Sequence, residues 1–353
     1  MNGFYGSAFG NILGTLYFLL FQCVGFLYIK RIFPKKGLLF HLLTGSVSGS
    51  VLLQWIPALF AFFFGFSMTA HIMALLFVVI SLVLLYVFYH PATAVSSTAP
   101  TKDYRQLLRR NYAFLLLAGG TFVLFCILLS THTILPKNDG LHVGQCTYGD
   151  LQMHLGIITS IANQQTFPPY YSISPWDRLC YPFLCDSVSS TFYTLGASLR
   201  VAAMLPALYA FLVVVLGVYC FFDEWFKNTR VSVLATYLFF IGGGLGFAYL
   251  FNNKQLLAGE GINRWQEMLE GFYKTPTNLP AEGLRWVNSI ADMLVPQRAT
   301  LFGWALLFPA LQLLHRAVMQ REYKCIVPLG IIAGCMPLVH THSFLAIGII
   351  SAF

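Results

Sequence analysis

Charge is what this sequence has least of. Asp, Glu, Lys and Arg make up 10% of its 353 residues against 57% apolar, and mean hydropathy is +0.69. Soluble domains carry about 25% charge, so a water-soluble globule is excluded. Acids are scarcer than bases, 13 against 21. The eight cysteines include no CxxC pair, which excludes zinc modules and thioredoxin-type redox chemistry. No clear internal repeat is present, which speaks against a transporter assembled from duplicated halves. The first apolar run lacks a basic n-region and a small-residue cleavage site, so it reads as a span and not as a cleaved signal peptide.

What is there is a series of apolar runs, each near the roughly 20 residues a membrane crossing needs. They lie near 9–29, 38–63, 69–89, 113–130, 201–222, 231–251 and 299–314, with an eighth from about 325 to the last residue, Phe353. The expected fold class is an all-α polytopic membrane protein. Segment 91–101, rich in Ala, Ser, Thr and Pro, marks a boundary between an N-terminal three-span module, 1–112, and a core, 113–353. In the first module, Gly45 and Gly49 alternate with Ser46, Ser48 and Ser50, a small-residue face suited to close helix packing.

The basic residues orient the chain. Linkers near 30–37, 90–112, 223–230 and 315–324 hold 13 of the 21 Lys and Arg and 4 of the 13 acids. By the positive-inside rule these linkers are cytoplasmic. The N-terminus and both long loops, 131–200 and 252–298, then face the exterior of a cell membrane. The net charge of +8 is accordingly a retention signal facing membrane lipids, with no nucleic-acid partner implied. Of the cysteines, Cys146, Cys180 and Cys185 fall in the first external loop, where oxidation is available, and no pairing is assigned.

The chemistry gathers on the exterior side. Asp150 and His154, four apart in Tyr148-Gly-Asp-Leu-Gln-Met-His154, share a face of a short amphipathic helix that Pro168-Pro169 ends. The run from Asp186 to Ser198 reads as a second surface helix. A glycine-rich segment follows at 240–247. Gln297 and Arg298 stand where the seventh run begins, in place to meet an anion at headgroup level. His340 and His342 lie inside the last apolar run, where ionisable groups are costly and functional by default. Two positions apart, they address one site only if the helix breaks there.

The order Gly-Asp-x-x-x-His, Phe-Pro-Pro, Tyr-Pro, glycine-rich span, Pro-Gln-Arg and His-Thr-His-Ser, over about 113–350, resembles the GT-C superfamily of integral-membrane glycosyltransferases, prokaryotic members in particular. The resemblance implies a GT-C-like helical bundle with long external loops carrying interfacial helices. It implies a polyprenyl-phosphate sugar donor and a glycan, lipid or protein acceptor of the cell envelope. Asp150 matches the essential acid of the first external loop and is expected to act as the catalytic base. His154, Gln297, Arg298, His340 and His342 are expected to line the cavity or hold the donor phosphate. The chain departs from that pattern in the three spans that precede the core and in stopping inside a span, so it reads as a fragment. No cofactor is implied outright. Some members use a divalent metal, for which Asp150, His154 and His340 or His342 are the available ligands, although no ligand spacing demands one. The alternative reading is a transporter or lipid flippase whose buried histidines relay protons.

Overall fold

The computed structural model describes residues 6–91, 104–144, 147, 149–174, 176–242 and 288–353. It is 77% helical. Among the described residues, six helices are long and apolar enough to cross a membrane. They are α1 (Ala8–Ile32), α2 (Leu38–Phe64), α3 (Met68–Phe88), α4 (Tyr104–His132, apolar from Asn111), α7 (Leu199–Phe226) and α9 (Arg298–Met319). Shorter helices are α5 (Leu151–Gln164), α6 (Leu184–Thr194), α8 (Thr229–Ile241), α10 (Ile326–Cys335) and α11 (Thr341–Ala352). Ser7, Ser67 and Ser198 start α1, α3 and α7, each side chain accepting from a first-turn N–H. Large apolar side chains on α3, from Ile72 to Phe88, point out of the bundle, as lipid-facing residues do. The linker at 92–101, most of the glycine-rich segment and nearly all of the second long loop lie outside the described residues.

The first three spans interlock with the core. Added methyl groups at Gly25 and Gly49 of α1 and α2 would stand 2.3 Å and 2.7 Å from the opposite backbone, so the two helices meet main chain to main chain. Gly10 of α1 lies as tightly on Gly196, and Asn11 Oδ1 accepts from Ser198 N at 2.9 Å. His71 of α3 reaches Thr191 Oγ1 of α6 at 3.1 Å, and Tyr209 of α7 donates to Ser46 of α2 at 2.7 Å.

Three features differ from expectation. The last apolar run is two helices, split at Met336–His340. Pro337 has no N–H to continue the ladder, and the Ala333 carbonyl takes Met336 N instead. α6 is no surface helix, since every residue from Leu184 to Phe192 is buried. The sequence also gave no sign of the small hairpin, β1 (Leu135–Lys137) paired with β2 (Gly140–His142), closed at Gly140 with φ 148.

The two ends of the bundle are built differently. One end carries α5, α6 and the hairpin, and is called the loop end below. The opposite end, where the basic linkers lie, is closed by an ionic cluster. Glu224 Oε2 of α7 accepts from Arg316 Nε (2.9 Å), Arg316 Nη2 (2.6 Å) and Gln312 (3.2 Å) of α9, while its Oε1 accepts from Lys227 (2.5 Å) and Gln320. Lys36, on the α1–α2 linker, donates to both oxygens of Glu322.

Candidate functional site

Three helices begin together at the loop end. Their N-cap residues are Asp150 (α5), Gln297 (α9) and His340 (α11), and none of the three side chains caps its own helix. The side chains bond to one another instead. Gln297 Nε2 donates to Asp150 Oδ2 at 2.8 Å, and Thr300 Oγ1 donates to Gln297 Oε1 at 3.0 Å. Thr300 Oγ1 also lies 3.5 Å from His340 Nε2, whose Nδ1 meets Ser343 Oγ at 2.8 Å. His342 is exposed, its ring centroid 5.3 Å from that of His340. The break before α11 is thus what lets both histidines stand beside one site. Gly303 makes room for His340: a methyl group there would sit 2.4 Å from the imidazole.

A second cluster lies beneath this line. Asp186, in the first turn of α6, is fully buried, with Oδ2 2.8 Å from His154 Nδ1 and Oδ1 accepting from Arg298 Nε at 3.1 Å. The rest of the guanidinium is also engaged. Nη1 donates to the Ala203 carbonyl at 2.7 Å and Nη2 to Ser189 Oγ at 2.6 Å. Consecutive residues therefore serve the two layers, Gln297 outward to Asp150 and Arg298 inward to Asp186. The same division holds on α5. Asp150 stays partly exposed just outside the helix, whereas His154, one turn on, is fully buried. With Nδ1 turned to a carboxylate, that nitrogen carries the proton, and His154 Nε2 is buried without a hydrogen-bond partner.

Tyr181 joins the layers. Its ring lies edge-on to His154, centroids 5.9 Å apart. Burial, with Cys185, Asp186 and Asp150 nearby, pushes its phenol up to about 12, so it stays neutral and available as a donor.

Sequence reasoning placed Asp150, Gln297, His340 and His342 on one side, and the structure brings all four to one place. Arg298 and His154 come to the same end but below the surface, tied to each other through Asp186, and in this arrangement Arg298 does not face a bound anion. Asp186 and Tyr181 were missed as site residues. The one local hint was an acid within a run of small residues, Leu184-Cys-Asp-Ser-Val-Ser-Ser, whose serines permit close packing.

For a metal, Asp150, His154 and His340 do not gather. Among the described residues the one group of three ligand types within reach of an ion is His154, Cys185 and Asp186, with ligand atoms within 4.8 Å of one another. It does not fit a divalent cation. Both Asp186 oxygens are taken, the Arg298 guanidinium stands against the same carboxylate, and burial pushes the Cys185 thiol up, keeping it protonated. A scan of family models and searches of curated proteins and of solved structures found no match to this chain.

Proposed function

We propose that this chain is a membrane glycosyltransferase of the GT-C type, moving a sugar from a polyprenyl-phosphate donor to an acceptor hydroxyl at the loop end. By the distribution of basic residues, that end faces the exterior of the cell. The observation that carries the reading is the line of side chains from Asp150 through Gln297 and Thr300 to His340, which links three helix N-termini and leaves the carboxylate capping none of them. Leading N–H groups of a helix are unpaired and its N-terminus is partly positive, a natural seat for phosphate.

Each part then has a task. Asp150, held by Gln297, takes the proton from the acceptor hydroxyl as its oxygen attacks the anomeric carbon. The bond from that carbon to the phosphate oxygen breaks, and the phosphate departs with the electron pair. The N-termini of α9 and α11, with His340 and His342, stabilise that charge. This assignment replaces Arg298, whose guanidinium is committed below. His154, Asp186 and Arg298 fix the relative position of α5, α6 and α9, and so of Asp150 against Gln297.

The test is transfer from a labelled polyprenyl-phosphate sugar in membranes containing the protein. Asp150→Asn is expected to lower the rate about 10²–10⁴-fold, the usual worth of a positioned base, with expression and thermal unfolding unchanged. Transfer undiminished in that variant sinks the assignment.

A second reading draws on the interrupted last run. Broken helices also build ion and substrate sites in transporters, with histidines as proton carriers. Substrate counterflow by the purified protein in vesicles, without glycosyl transfer, would select it.

A further inference from the structure

A cavity of about 10 Å³ lies inside the bundle where α1, α2, α6, α7 and α9 meet. Its walls include Ser50, Leu53, Gln54, Pro206, Tyr209 and Ala305. Gln54 is 1% exposed, and neither its amide oxygen nor its amide nitrogen has a hydrogen-bond partner. An unmatched amide in apolar surroundings is costly, and internal polar groups are nearly always satisfied.

Three prolines sharpen the point. Pro57, Pro206 and Pro309 lie within α2, α7 and α9, and each removes the donor that a helix supplies to the carbonyl four residues earlier. Those carbonyls belong to Leu53, Ala202 and Ala305. The Ala202 carbonyl is answered by the Ser189 hydroxyl. Leu53 and Ala305 are both cavity-wall residues. The volume matches a single water, which needs about 10–15 Å³ by this measure and two to four polar partners. The walls carry no carboxylate, so nothing there offsets the charge of a cation.

We propose that this cavity binds one ordered water molecule through the Gln54 amide, tying α2 of the first three spans to α7 and α9 of the core. The inference is independent of the glycosyltransferase reading. The test is a density map of the protein in lipid nanodiscs, with a bound antibody fragment for alignment, fine enough to resolve internal waters. Wild type is expected to show one peak within about 2.7–3.2 Å of Gln54. Gln54→Leu, which fills the space with an apolar group, is expected to lack the peak and to unfold at the same or a higher temperature. A wild-type map that resolves other internal waters and leaves this cavity empty would overturn the proposal, and it decides the matter even if the variant fails to fold. A peak that persists in Gln54→Leu, or one that depends on sodium, overturns it equally.

Discussion

Gln297 and Arg298 share a peptide bond and work on opposite sides of it. Gln297 is exposed and holds Asp150, whereas Arg298 is 3% exposed and spends its guanidinium on Asp186, Ala203 and Ser189. Their substitutions should therefore separate. Removing one partner of a buried ion pair leaves the other charge unmatched, at a cost of about 3–5 kcal/mol. Arg298→Ala and Asp186→Asn are expected to lower the thermal unfolding midpoint of the detergent-solubilised protein sharply, which Asp150→Asn is not. Equal midpoints for wild type and Arg298→Ala would show the pair to be dispensable.

The phenol of Tyr181 supplies a pH signature. Its folded value, about 12, stands above the ordinary 10.0 because burial disfavours the anion. The stability it contributes is complete below pH 10 and is lost as pH rises through about 12. Wild type is therefore expected to lose stability over that interval more steeply than Tyr181→Phe, as read by unfolding midpoints at stepped pH. Identical alkaline profiles would count against the half-buried phenol.

At the scale of elements, the break between α10 and α11 carries the most consequence. It puts His340 at a helix start, and Gly303 of α9 gives the ring its seat. Gly303→Ala is expected to displace His340 and cut the proposed sugar transfer, by about as much as a lost charge-stabilising donor, 10²–10³-fold. Unchanged transfer in that variant would remove His340 from the site. The long helices were legible in the sequence because apolar runs of span length admit few other readings, and α1 to α4 follow the expected boundaries within a few residues. The exception is the N-terminal extension of α4 to Tyr104. Pro337 and the flanking histidines marked where the last run could break, but not that it does. The depth of α6 was hidden for a different reason. Asp186 finds Arg298 112 residues away, and no local pattern announces such a partner. Asp150 was readable from its motif; its release from capping duty was not, because that depends on Gln297 arriving from another helix.

At the scale of the molecule, sidedness is the expectation most open to direct measurement. Cys180 is a free, exposed thiol on the loop end. In a Cys146→Ser background on intact cells it is expected to react with a membrane-impermeant maleimide, and the signal should vanish when Cys180→Ser is added. Labelling that needs permeabilised cells would invert the topology and move the site to the cytoplasm.

The cluster around Glu224 bears on how anything enters. Five hydrogen bonds converge on one carboxylate, three of them from α9 and a fourth from Gln320 at its C-terminal cap. Lys36 and Glu322 fasten the α1–α2 linker beside it. The bundle is thus fastened twice, once by this cluster and once at the loop end by Asp186, His154 and Arg298, and the two fastenings share no residue. Loss of one therefore leaves every partner of the other in place.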